Sequence, residues 1–216
     1  MDISENLKKI KASLPAQVDL VAVSKTKPNS AILEAYNAGQ CVFGENRIQE
    51  MVDKYEALPK DIEWHMIGHL QRNKVKYMAH FVSLIHGVDS FKTLKEINKQ
   101  AKKHNRIINC LLQAKIAEED TKFGLSFSEI EEILASEKLK ELKYVSVVGL
   151  MGMATFTDNA NQIKSEFKRI NTLFDKLREN HKGLTTLSIG MSGDYQIAIE
   201  CGSTMVRIGS AIFGSR

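Results

Sequence analysis

Short apolar runs alternate with longer helix-patterned segments from one end of this chain to the other, and that rhythm restricts the fold more than any other feature. The runs fall at residues 19–24, 40–43, 64–67, 81–86, 107–114, 145–151, 185–189 and 205–208. Eight strands separated by helices are the number that closes a parallel (β/α)8 TIM-type barrel, which is the expected α/β fold. An open doubly wound sheet is the alternative, because pattern alone does not show closure. The segments between the runs carry helical spacing, as at Phe91, Leu94, Ile97 and Ala101, or at Ile163, Phe167, Ile170, Phe174 and Leu177. Ser128 with Glu131 fits a capping box, Ser90 suits an N-cap, and Pro28 suits a first helical turn.

The 216 residues are 43% hydrophobic and 26% charged, enough for one sizeable core and no more than one expected domain, residues 1–216. No Gly/Ser-rich or Pro-rich linker divides them. Residues 1–16 place Ile3, Leu7 and Ile10 on one helical face, so an N-terminal helix packing on the barrel is expected instead of a signal peptide. Lys and Arg exceed Asp and Glu by 30 to 26 without forming a basic block, which points to small anionic ligands and away from nucleic acid. No apolar stretch reaches the roughly 20 residues of a membrane span, so no membrane partner and a cytoplasmic location are expected. Cys41, Cys110 and Cys201 are odd in number, far apart and set among apolar residues, which reads as buried thiols and not as disulfides or a metal site.

In a barrel of this kind chemistry sits where strands end and βα loops begin, and those positions read SKTKP, GENR, GHLQRNK, HGVD, AKIAEEDTKFG, GMATF, GMSGD and RIGS. Lys25 ends the run VDLVAVSK, which aims its amine at the mouth. A neutral lysine amine attacks aldehydes, whereas the ordinary fate of a strand-end lysine is to snorkel into solvent. Near the C-terminus, Met191, Ser192 and Gly193 form one glycine-bearing turn and Gly209 with Ser210 a second. Small residues let backbone amides approach a phosphate, and loops after the last two strands are frequent phosphate sites. Ser192 suits either a hydroxyl donor to that phosphate or an N-cap for a helix near Asp194. Arg207 lies inside the apolar run MVRIG and needs an interior partner; Glu200 is the ordinary choice, a ring nitrogen or phosphate the functional one.

The segments AVSKTKP, FGENRIQE, WHMIGHLQRNK, GLMGMA and LSIGMSGDYQIAIECGSTMVRIGSAIFG together resemble, in order and from about Val18 to Gly214, the YggS/PROSC family of pyridoxal phosphate homeostasis proteins. The resemblance implies the fold of the alanine racemase N-terminal barrel, fold type III-like, without a second β domain. It also implies pyridoxal 5′-phosphate (PLP) as cofactor, held as a Schiff base on Lys25. Ser192, Gly209 and the neighbouring Met191 and Ser210 then match the phosphate site, and Arg207 the arginine beside the pyridine nitrogen. Asn46 matches a residue close to the cofactor, its ordinary reading being a helix N-cap. Lys27 would add a second positive charge near Lys25, although solvation is its common fate, and Lys122 falls where the family offers a secondary lysine.

Two functions suit such a site. One is binding, buffering or delivering PLP without turnover, with PLP-dependent apoenzymes as recipients and a monomer or weak dimer as the expected state. The other is a racemase- or decarboxylase-like enzyme acting on amino acids. A chain ending at Arg216 leaves no residues for the β-rich domain that carries the catalytic tyrosine of alanine racemases, so no catalytic residue is expected. Tyr195 belongs on a helix, where it would pack or cap. A class I aldolase using Lys25 fits the Arg207 context less well. His65, His69 and His86 lack metal-ligand spacing, so no metal site is expected; His65 reads as a core or rim residue and His69 as one that reaches the mouth.

Overall fold

A computed structural model describes residues 2–118 and 123–214. Eight parallel strands close into a barrel in sequence order: β1 (Asp19–Val23), β2 (Val42–Glu45), β3 (Glu63–Met66), β4 (Leu84–Val88), β5 (Ile108–Gln113), β6 (Val145–Met151), β7 (Thr186–Met191) and β8 (Met205–Ile208). The doubly wound alternative is thereby excluded, since β1 pairs with β8 from Asp19↔Met205 to Ala22↔Ile208. Helices α1 (Ile3–Ser13), α2 (Asn29–Asn37), α3 (Ile48–Ala57), α4 (Phe91–Lys103), α5 (Phe127–Ala135), α6 (Glu137–Lys140), α7 (Ala160–Asn180), α8 (Tyr195–Glu200) and α9 (Ser210–Phe213) surround it. A 3-10 helix, Arg72–Tyr77, stands between β3 and β4.

Side-chain alternation along each strand separates two cores. Leu20, Ala22, Phe43, Trp64, Met66, Ile85, Leu112 and Leu187 face the helices. Val21, Leu84, Leu111, Met151 and Met205 fill the barrel floor. The apolar stripe of α7 is buried at Ile163, Phe167, Ile170, Phe174 and Leu177, and that of α4 at Leu94, Ile97 and Ala101. Helix α1 is tied to its neighbours by Ile3 N donating to Glu34 Oε1 (3.0 Å) and Asn6 Nδ2 donating to the Ile212 carbonyl (3.1 Å).

Several local expectations are corrected. The capping box is Ser126 with Glu129, not Ser128 with Glu131, because α5 starts at Phe127. Pro28 is the N-cap residue of α2 and not its first turn. Ser90 does cap α4, accepting from Thr93 N. Cys41 is exposed in the loop before β2, while Cys110 and Cys201 are buried, and all three thiols are free. Residues 81–83 precede β4 instead of opening it, since Phe81 and Val82 both donate their amides back to Met78 in a helical turn. Among the described residues no helix is long and apolar enough to cross a membrane, and no group of His, Cys, Asp and Glu could hold a metal ion.

Candidate functional site

Lys25 follows β1 on the same parity as Val21, so the alternation that buries Val21 in the barrel floor aims Lys25 inward at the mouth. The same count on β8 carries Met205 and then Arg207 inward, and on β2 Gly44 and then Asn46. Together they line a cavity of about 480 Å³ at the C-terminal end of the strands. It gathers Lys25, Asn46, Met191, Ser192, Arg207, Gly209 and Ser210, all seven residues singled out from the sequence as cofactor-binding. Lys27 also lines it, with Nζ donating to the carbonyls of Phe213 (3.1 Å) and Gly214 (3.0 Å). Lys122 lies outside the described residues.

Arg207 is buried, yet it does not pair with Glu200, whose carboxylate takes Lys164 instead (2.9 Å). Its Nη1 donates to the Ser188 carbonyl (2.7 Å) and to Ser188 Oγ (2.6 Å), and its Nη2 to the Gly152 carbonyl (3.0 Å). Burial lowers the guanidinium pKa to about 10, against a raising influence of Asp194, and leaves it cationic at neutral pH. Ser188 Oγ lies 3.1 Å from His86 Nδ1, and His86 Nε2 lies 3.1 Å from His65 Nδ1. A guanidinium only donates, so Ser188 Oγ is an acceptor toward Arg207 and the chain Arg207–Ser188–His86–His65 runs unbroken through the barrel interior. Burial holds both imidazoles neutral, His65 at about 3 and His86 well below its usual range, where the charges of His65 and Arg207 add to the effect.

The two glycine-bearing loops are joined to each other: Gly209 N donates to Ser192 Oγ (3.1 Å). Ser192 is therefore not an N-cap; Asp194 occupies that position of α8, and its Oδ1 accepts from Met191 N (2.6 Å). The Gly209 amide is thus engaged by Ser192, and both residues line the cavity. A bulge on β7 brings the loops level, three residues from Ser188 to Met191 matching two from Met205 to Arg207. Gly190 makes the bend at φ +99°, where a Cβ would lie 2.6 Å from Ala198 Cβ.

Asn46 is not the N-cap of α3 either; Arg47 is. Its side chain is thus not committed to a helix end. His69 lines the cavity, stacks on the exposed Phe123 (ring centroids 4.2 Å apart) and places Nδ1 3.4 Å from Asp89 Oδ2. His65, by contrast, is fully interior. Sequence reasoning did not select Gln113, Met153, Phe123 or Phe156 for this cavity. Gln113 was findable, being the polar end of β5 on the inward parity of Leu111. Phe123 and Phe156 carry no periodic signal, because both lie in loops.

Comparison with known proteins agrees with this architecture. The family model described as alanine racemase, N-terminal domain, matches residues 2–216. A pyridoxal phosphate homeostasis protein of Aquifex aeolicus is 43% identical over 199 residues, spanning 91% of this chain and 86% of that protein. The Escherichia coli K12 protein of the same name is 37% identical over 230 residues, covering 100% of this chain and 97% of its own. Among solved structures, PipY of Synechococcus elongatus PCC7942 superposes with a TM-score of 0.92 without PLP and 0.88 with PLP bound, at 35% and 34% identity, covering 98% of this chain and 100% of PipY in each case. An alanine racemase of Clostridium difficile shares the fold at a TM-score of 0.76 and 16% identity, this chain covering 57% of it. On sequence, fold and the placement of its polar residues, the chain belongs to the alanine racemase N-terminal-domain family and, within it, to the pyridoxal phosphate homeostasis proteins.

Proposed function

We infer that this chain binds pyridoxal 5′-phosphate as an intracellular PLP homeostasis protein, residues 1–216 acting as one PLP-binding barrel with the cofactor held as a Schiff base on Lys25. The observation that carries this is the convergence of a primary amine, a buried guanidinium bonded to Ser188 and Gly152, and two linked glycine-bearing loops in one cavity. The donor set suits the cofactor group by group. Lys25 supplies the amine, Ser192 and the loop holding Gly209 and Ser210 supply small, donor-rich surfaces for a phosphate, and Arg207 supplies a cation where a ring nitrogen would lie.

PLP brings an aldehyde that condenses with a primary amine, releasing water, and a ring that withdraws electrons from whatever is attached to it. The protein sets how far that capacity is used. Arg207 lines the cavity while three of its five N–H groups are committed to Ser188 and Gly152, which fixes the plane of the guanidinium. A guanidinium of this kind holds a ring nitrogen without surrendering a proton to it, which keeps the ring a weak electron sink. Asn46 and Met191 line the same cavity, and Lys27, fixed on the carbonyls of Phe213 and Gly214, adds positive charge to it.

Retention and delivery of PLP to apoenzymes, without substrate turnover, is the reading that this tuning supports. Tyr195 is directed away from the cavity, its hydroxyl 3.2 Å from Ser13 Oγ on α1. One feature favours a second reading, an amino-acid racemase- or decarboxylase-like activity: His69 stands at the mouth beside Asp89, as a general base would. A titration with PLP followed by absorbance, run on the native protein and on Lys25→Ala, tests the binding claim, and incubation of the loaded protein with a panel of amino acids tests the second. Imine absorbance that disappears in Lys25→Ala and no loss of α-proton or carboxylate from any amino acid are expected. Undiminished absorbance in Lys25→Ala would overturn the first reading, and turnover abolished by His69→Ala would establish the second.

A further inference from the structure

Lys25 sits in a turn whose geometry is unusual for its sequence. The Lys27 amide donates to the Ser24 carbonyl (3.0 Å), so Lys25 and Thr26 are the two central residues of a four-residue turn. Thr26, the third residue, has φ +64°. That region is what a type II turn demands at this position, and glycine or asparagine ordinarily supplies it. A β-branched residue there is strained and persists only where its surroundings over-determine it.

The surroundings are one ion cluster on the helix side of the sheet. Glu50 Oε1 accepts from the Thr26 amide (2.5 Å) and from Lys54 Nζ (2.7 Å). Lys54 Nζ also donates to the Ser24 carbonyl (2.8 Å) and to Glu45 Oε1 (2.8 Å), and Glu45 Oε1 accepts from Ser24 Oγ (2.6 Å). Ser24, immediately before Lys25, is thus bolted to β2 and α3, and Thr26, immediately after it, to α3. Glu45 and Lys54 are buried and Glu50 is half-buried, so these bonds are largely shielded from water. None of the three carboxylate and ammonium groups enters the cavity.

We propose that Glu50, Lys54 and Glu45 are positioning residues for Lys25: they hold the turn Ser24–Lys27 in a conformation its own sequence disfavours, so that the amine meets the cofactor already aimed. This rests on the reading of Lys25 as the cofactor lysine. It assigns to Glu50 a role that burial alone would not give, because Glu50 touches the turn only through the Thr26 amide and through Lys54.

The test uses the full chain loaded with PLP. Glu50→Ala removes the acceptor from the Thr26 amide, and the apparent Kd for PLP is expected to rise about tenfold, the scale of one strained residue released. Glu50→Gln keeps an acceptor and is expected to restore most of that loss. Thr26→Gly in the Glu50→Ala background is the decisive variant, since glycine takes positive φ freely and should recover at least half of the lost affinity if the cluster works by holding that angle. Unchanged affinity in Glu50→Ala, or no recovery in the double variant, overturns the proposal. Borohydride trapping on the native protein separates the two claims: label on Lys25 with unaltered affinity in Glu50→Ala sinks only the positioning role, whereas label elsewhere sinks the Lys25 reading beneath it. Should Glu50→Ala fail to fold, hydrogen exchange of the Thr26 amide in the native protein decides. Protection is expected although Thr26 is exposed, and exchange at the rate of an open loop contradicts the proposal.

Discussion

Arg207 carries a charge inside the barrel, and among the described residues the groups it bonds are all acceptors on Ser188 and Gly152. Ser188 Oγ accepts from the cation and lies 3.1 Å from His86 Nδ1, His86 Nε2 lies 3.1 Å from His65 Nδ1, and burial keeps both imidazoles neutral. This arrangement has a pH signature. A histidine with folded pKa below its unfolded value binds fewer protons when folded, so stability is complete above about pH 6.5 and falls as pH drops below it. For His65, with its pKa lowered to about 3, the window runs from about pH 6.5 down to about pH 3, at about 1.4 kcal/mol per pH unit for each such histidine. Glu45 acts in the opposite sense as the carboxylate range is approached, since burial holds its carboxyl above its usual value. Urea unfolding midpoints should decline steadily between pH 6.5 and pH 5; a flat profile over that interval would contradict neutral, buried imidazoles.

The pair β7 and β8, with the loops that follow them, is the element on which the site depends. Its two loops meet only because β7 bulges by one residue and Gly190 bends at positive φ. Gly190→Ala should cost about 2–4 kcal/mol, combining left-handed strain with the clash against Ala198, measured by denaturant unfolding. It should also separate Ser192 from Gly209 and weaken PLP retention. An alanine variant as stable as the native protein would show that the bend is not needed. Much of this element was legible beforehand. The runs at 145–151 and 205–208 coincide with β6 and β8; Lys25 stood out at a strand end, Arg207 inside an apolar run and Asn46 through the family resemblance, and the structure brings all three to one cavity. What escaped the sequence depended on contacts distant in the chain. Of the two readings of Ser192, phosphate donor and helix cap, the cap gave way when the bulge brought Gly209 to its hydroxyl, and of the partners weighed for Arg207, Glu200 gave way when barrel closure placed Ser188 and Gly152 nearer. The box at Ser126 and Glu129 was misplaced by two residues because Ser128 and Glu131 repeat the same spacing.

At the scale of the molecule, closure of the sheet turns eight separate strand ends into one rim. The floor of Val21, Leu84, Leu111, Met151 and Met205 is packed and apolar, and polar side chains of the same parity either join the buried chain Arg207–Ser188–His86–His65 or reach the mouth. A site built on strand ends of a closed barrel is held by the whole fold, with mobility left to the loops. On the proposed reading, the position that began as an ordinary strand-end lysine is the amine that the β2–α3 ion cluster aims into a cavity shared with the β7–β8 loops. The most direct measurement is to load the purified protein with PLP, reduce with borohydride and map the modified peptide by mass spectrometry. The account predicts one label, on Lys25; a label confined to any other lysine would contradict it.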